Sequence, residues 1–204
     1  MDSAQLAAVA SSHRVYRSFG FVDLCGFTDF AEANGDDIAV LELRRLRSVV
    51  REVTPLFGVR VEKWLGDGLM IVGVDNEPVV AAVVAIQQRH QLEGSLAVRA
   101  GIAAGEVLLL EGDDYTGRAV NVAARLCDRA GVGQLLAAVE GLRTPSWVRT
   151  HEEEPAHLKG LVEPVDAVSL TANLGMLALS RPNPLLSLVE GITRPMRAVR
   201  DAGR

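Results

Sequence analysis

VRVEKWLGDGLMIVGV, residues 59–74, reads as two strands and the turn that joins them. Val59 to Leu65 and Leu69 to Val74 are rich in β-branched residues, and Gly66-Asp67-Gly68 between them carries the glycines a tight hairpin needs. On the N-terminal side, Leu43, Leu46, Val50 and Val53 recur at three- and four-residue steps, which predicts a helix capped by Asp36 or Asp37 and stopped by Pro55. Before it, Ser18 to Leu24 is a buried strand ended by Gly26 and a short turn. On the C-terminal side, Asn76 caps a second helix with Pro78 in its first turn and Val79, Val83, Ile86 and His90 on one side. A long strand from Leu96 to Leu110, bent near Gly105, precedes a third helix over Gly117 to Ala130 that turns Val120, Ala123 and Cys127 inward. A weaker strand pair covers Val148 to Leu158 and Val165 to Leu170. The order β-α-β-β-α-β, with these additions, is that of a ferredoxin-like α+β core whose helices pack on one sheet face. Residues 1–17 then form a tail, 18–170 the domain, and 171–204, with Pro182, Pro184 and Pro195, an extension.

Composition narrows the function. The chain has 204 residues, 49% of them hydrophobic and 23% charged, as in one ordinary globular domain. A net charge of -5 with no basic run argues against tracking a nucleic-acid backbone. Cys25 and Cys127 have no CxxC or Cys/His spacing, so they read as reduced thiols and not as a zinc site. The longest uninterrupted apolar stretch, Val79 to Ile86, is too short to cross a bilayer, and the N-terminus lacks a signal pattern. The expectation is a cytoplasmic protein. Of the 21 basic residues only Lys63 and Lys159 are lysines, which singles out both positions.

Three segments carry chemistry. FVDLCGFT, residues 21–28, puts Asp23 at a strand end before a glycine turn whose amides can face a phosphate. EKWLGDGLM, residues 62–70, puts Asp67 at a hairpin tip. Two such carboxylates suit Mg²⁺, which completes its shell with water and substrate phosphates, although either aspartate alone is better read as a turn residue. GRAVNVAARL, residues 117–126, sets Asn121 and Arg125 four residues apart on one helix face; the plainer reading of Arg125 is a surface pair with Asp128.

Taken together, Asp23 in FVDLCGFT, Asp67 in EKWLGDGLM, and Asn121 with Arg125 in GRAVNVAARL resemble the signature segments of the class III adenylate and guanylate cyclases, in their bacterial stand-alone form, over residues 18–170. The resemblance implies that Asp23 and Asp67, with the Leu24 carbonyl, bind two divalent ions, Mg²⁺ or Mn²⁺. It implies that Thr28 and the amides of Cys25, Gly26 and Phe27 hold the triphosphate, with Lys159 on the terminal phosphates. Lys63 and Asp114 become the base readers, a lysine donor for adenine N1 and a carboxylate acceptor for adenine N6. Asn121 orients the ribose and Arg125 stabilises charge at the α-phosphate. The implied protein is an adenylate cyclase, a homodimer with shared sites converting ATP to 3′,5′-cyclic AMP and pyrophosphate. The rivals are a guanylate cyclase, disfavoured by Lys63 and Asp114, and a catalytically silent module of the same fold, disfavoured because every motif position is filled. The GG[DE]EF segment of diguanylate cyclases and the GxxxxGK[ST] loop of P-loop NTPases are missing.

Overall fold

The computed structural model describes residues 13–110 and 114–173. In chain order its elements are β1 (His13–Leu24), α1 (Phe27–Asn34), α2 (Asp36–Val53), a 3-10 turn (Thr54–Phe57), β2 (Arg60–Leu65), β3 (Gly68–Gly73), α3 (Asn76–Glu93), β4 (Val98–Leu109), β5 (Tyr115–Thr116), α4 (Arg118–Arg129), β6 (Leu135–Ala138), β7 (Val148–Glu152) and β8 (Ala167–Ala172). The strands form one sheet in the order β2-β3-β1-β4-β6-β8-β7, with β5 beside β4. β1 pairs antiparallel with both β3 and β4, so the βαββαβ core expected from the sequence is present with β1 at its centre.

The period of two along the strands sorts the core into two layers. Val22 and Leu24 of β1, Leu69 and Ile71 of β3, and Ala100 and Ile102 of β4 face α2 and α3. Phe19, Met70, Val72, Ala103 and Val107 face the opposite way, against Ala119, Val122, Ala123 and Leu126 of α4. The two core helices thus share one face, as expected, and α4 covers the other. α3 is buried continuously from Val79 to Gln87, so it lies inside the molecule with no solvent stripe. At about 1.5–3 kcal/mol for each buried Val or Ile, this helix is a principal source of stability. The sheet can approach α4 closely because β4 has Gly101 there: a Cβ at that position would collide with the Ala123 carbonyl and the Cys127 amide.

Several boundaries differ from the sequence reading. His13 to Arg17, expected in the tail, extend β1, because backbone pairing with β4 continues from Gly105 to Leu109 even where side chains are exposed. That pairing passes through Gly105 without a register shift. The segment after Gly26 is the helix α1, with Gly26 at its N-cap and Gly35 at its C-cap, and not a short turn. β6 is a fully buried four-residue run with no alternation to betray it. β7 ends at Glu152, and beyond Pro155 a single bridge, Ala156 to Val165, replaces the longer strand. Asn76 does not cap α3. It is buried, donating from Nδ2 to Ser18 Oγ at 3.0 Å and accepting the Arg143 amide at 2.7 Å. β8 runs two residues into the expected extension; residues 174–204 of that extension and the first 12 residues lie outside the described residues. No helix among the described residues is long and apolar enough to cross a membrane.

Candidate active site

Asp23 is the penultimate residue of β1, and its neighbours across the sheet are Gly68 of β3 and Arg99 of β4. Odd positions of β1 face α4, so the carboxylate projects toward that helix. There it borders a cavity of about 230 Å³ lined by Phe21, Asp23, Leu65, Gly68, Ala124 and Asp128 among others. Asp67 is set beside it by the β2–β3 turn, where Gly66 takes a φ of 71°, a left-handed conformation that favours glycine. Burial, and after it the negative charge of Asp23, pushes the Asp67 carboxyl above its ordinary range. The two carboxylates therefore feel one another. Gly68 keeps the approach open, since a Cβ there would lie 2.9 Å from the Val22 carbonyl and 3.0 Å from Asp23 Oδ1.

No group of three or more His, Cys, Asp or Glu side chains suited to a metal occurs among the described residues. Two converging carboxylates on an open surface still fit a hard divalent ion that keeps water and takes its remaining oxygens from a phosphate ligand.

The turn after β1 divides the expected phosphate contacts. The Cys25 amide donates to Ala97 O at 2.8 Å and is not free. The first intrahelical bond of α1 runs from Phe30 N to Gly26 O at 3.0 Å, which leaves the amides of Phe27 and Thr28 as unpaired donors at a helix N-terminus. Leu24 is buried behind them and Phe27 packs into the core, which fixes the turn.

Lys63 and Asp114 meet: Nζ lies 2.6 Å from Oδ1, with side chains 43% and 47% exposed. Tyr115 organises this contact. Its amide donates to Asp114 Oδ1 at 2.9 Å, its ring stacks edge-on against Phe19 at 5.4 Å, and its hydroxyl meets Arg60 at 3.3 Å. The hydrogen bond from Lys63, partly opposed by burial, holds the Asp114 carboxyl below its ordinary range, so it is an acceptor at neutral pH.

Asn121 and Arg125 are both exposed on α4, and neither bonds to Asp23, Asp67, Lys63 or Asp114 among the described residues. Arg125 Nη1 instead pairs with Asp128 Oδ2 at 3.0 Å. Lys159 is exposed in the turn after Leu158. A single chain thus assembles an acidic half and a lysine–aspartate half, and leaves Asn121 and Arg125 facing outward.

One residue of the site escaped the sequence reading. Arg99 donates to Asp23 Oδ2 from both Nε, at 2.9 Å, and Nη2, at 2.7 Å. A lone arginine in a strand carries no sequence signal; only the antiparallel register of β1 with β4 reveals it.

No family model matches the sequence. The chain is 37% identical over 180 residues to an uncharacterized protein of Mycobacterium tuberculosis and equally to one of Mycobacterium bovis, the match covering 87% of this chain and 47% of each relative. The chain thus spans about half the length of the curated relatives it matches. Among solved structures it is similar to the adenylyl cyclase CyaB from P. aeruginosa, at a TM-score of 0.68 and 20% identity over 85% of this chain and 98% of that one. The guanylyl cyclase Cya2 gives 0.67 and 20% over 84% and 96%. The catalytic core of a rhodopsin-guanylyl cyclase with converted specificity, in complex with ATPαS, gives 0.69 and 18% over 79% and 99%. At these identities the likeness is one of fold.

Proposed function

We propose that this chain, whose fold is that of the class III nucleotidyl cyclase catalytic domains, is an adenylate cyclase that converts ATP to 3′,5′-cyclic AMP and pyrophosphate at sites shared by two copies. The observation that carries the reading is the Lys63–Asp114 pair at 2.6 Å, on a chain that also sets Asp67 beside Asp23. Adenine offers an acceptor at N1 and a donor at N6, which an ammonium and an ionised carboxylate complement. Guanine inverts both positions, and a site whose polar groups are left unpaired by the wrong base rejects it strongly.

The acidic half holds the phosphates' counter-ions. Asp23, Asp67 and the Leu24 carbonyl would ligate two divalent ions, Mg²⁺ or Mn²⁺, which when bound neutralise the triphosphate and acidify the ribose 3′-hydroxyl. The free amides of Phe27 and Thr28, with Gly26 and the Thr28 hydroxyl, hold phosphate oxygens at the start of α1; Cys25 contributes position and not its amide. Lys159 adds a compact positive charge for the terminal phosphates. From a second copy, Asn121 orients the ribose and Arg125, released from Asp128, faces the charge that develops on the α-phosphate. A cavity of about 230 Å³ beside Asp23 is smaller than the roughly 300–1,000 Å³ of ligand pockets, which supports completion by another surface.

Incubating the purified chain with ATP or GTP and Mn²⁺ or Mg²⁺, followed by chromatography, tests the reading. Cyclic AMP from ATP, lost in Asp67→Ala, is the expected result. Cyclic GMP as the main product would make it a guanylate cyclase, and no cyclic product under any condition would leave a silent module of the same fold.

A further inference from the structure

We infer that Arg99 is a built-in counter-ion that competes with divalent cations for Asp23, and so holds down the site's affinity for a free cation until a nucleotide arrives. The inference rests on the cyclase reading of Asp23.

Arg99 stands directly across the β1–β4 register from Asp23, so the pairing is fixed by the sheet and needs no loop movement. Two of its nitrogens, Nε at 2.9 Å and Nη2 at 2.7 Å, donate to the same oxygen, Oδ2. That oxygen is occupied by two charge-assisted bonds while Oδ1 faces the hairpin tip at Gly68. The remaining nitrogen, Nη1, reaches only the Asp128 carbonyl at 3.5 Å, so Asp23 is the anchor of this guanidinium. Asp67 makes no ion pair among the described residues.

The charges of this corner are therefore one positive and two negative, a net of one negative charge from Asp23, Asp67 and Arg99. A divalent cation entering alone must displace the guanidinium from Oδ2 or bind beside it, and both are unfavourable for like charges a few ångströms apart. A cation that arrives with a nucleotide brings phosphate charge that offsets the guanidinium. With side chains 31% and 24% exposed, the pair is open enough to exchange. Arg99 is on this account a positioning residue that acts through Asp23. The sign of its effect is diagnostic: an arginine that only supports structure weakens cation binding when removed, whereas a competitor strengthens it.

The test is Mn²⁺ binding by the full chain without nucleotide, read by electron paramagnetic resonance of free Mn²⁺ and by calorimetry. Arg99→Met is expected to bind Mn²⁺ about tenfold more tightly than the parent, the scale of one charge-assisted hydrogen bond at a partly exposed site. Arg99→Lys, which keeps the charge but loses the fork, is expected to fall between them. Asp23→Asn is the control and should abolish the tightened site. Unchanged or weaker Mn²⁺ binding in Arg99→Met, with Asp23-dependent binding intact in the parent, overturns the inference and leaves the cyclase reading standing. Binding indifferent to Asp23→Asn overturns both. Should circular dichroism show Arg99→Met unfolded, Arg99→Lys decides alone, and equal or weaker binding there counts against the inference.

Discussion

Lys63 and Asp114 stand 51 positions apart in sequence and 2.6 Å apart in space, and on the proposed function the choice of purine turns on this contact. Lys63→Glu would set two carboxylates against each other and remove the donor to adenine N1. The expected outcome is a fall in kcat/KM for ATP of at least about 100-fold, with the ratio of GTP to ATP use rising at least about tenfold. Product chromatography with both nucleotides measures it. Because both side chains are close to half exposed, the pair adds little to folding, and the variant's urea midpoint should stay near that of the parent. A collapse of folding together with activity would assign Lys63 a structural role. The contact was legible from the sequence only through resemblance to the class III cyclases, since nothing in the spacing of the two residues requires it. Arg99 was not legible at all, because a strand arginine acquires meaning only from the residue across the ladder.

At the scale of elements, a buried pair supports the turn after β1 from behind. Glu42 of α2 and His90 of α3 are both fully buried, with His90 Nε2 3.3 Å from Glu42 Oε1. Glu42 also accepts the amides of Ser95 at 2.7 Å and Leu96 at 3.1 Å, which fixes the loop whose Ala97 carbonyl holds the Cys25 amide. Burial alone would raise the Glu42 carboxyl, but hydrogen bonds from Leu96, Arg45 and Ser95, with His90, outweigh it and lower the pKa. Burial lowers the pKa of His90 against the pull of the Glu42 and Glu93 charges. Between the lowered value and 6.5 the unfolded chain takes up a proton at His90 that the fold refuses, so stability falls as the pH falls through that window. Glu42 acts in the same direction lower down, its contribution full above 4.5 and lost as the pH falls through its folded value. His90→Gln should therefore flatten a slope of up to about 1.4 kcal/mol per pH unit below pH 6.5, and urea titrations at several pH values will show it. Glu42→Gln should cost about 1.5–3 kcal/mol at pH 7 by the same measurement, the scale of hydrogen bonds to a charged group.

Packing between β4 and α4 is tested at Gly101. Gly101→Ala must push the sheet off the helix backbone at Ala123 and Cys127, with an expected loss of about 1–3 kcal/mol or more in urea unfolding. The elements themselves differ in how plainly the sequence announces them. The 59–74 hairpin and α2 carry a clear period and turn residues, and both were legible, although Gly35 caps α2 and Asp36 and Asp37 lie in its first turn. α1 lacks a buried residue and a side-chain cap, and β6 is buried on both faces, so neither has a pattern to read. α3 was legible as a helix from Pro78 in its first turn and the spacing of Val79, Val83, Ile86 and His90, but not as a buried one, because its β-branched residues surround the axis.

For the whole molecule, the proposed reaction calls for a second copy. Asn121 and Arg125 face outward on α4, while Asp23 and Asp67 sit together at the end of β1 and the tip of the hairpin. If two copies associate so that α4 of one completes the acidic half of the other, each site needs Asp23 from one chain and Arg125 from its neighbour. Asp23→Ala and Arg125→Ala should then each be inactive alone. Mixed in equal amounts with subunits exchanging freely, half the dimers contain one of each, and in those one site has lost both residues while the other retains both. Activity should therefore recover to about a quarter of the parent's, by the symmetry of a two-site dimer. A single-chain site gives no recovery at any mixing ratio, because every chain then carries a lesion in its only site. Cyclic AMP formation against mixing ratio, alongside a native mass spectrum that confirms exchange, separates the two arrangements.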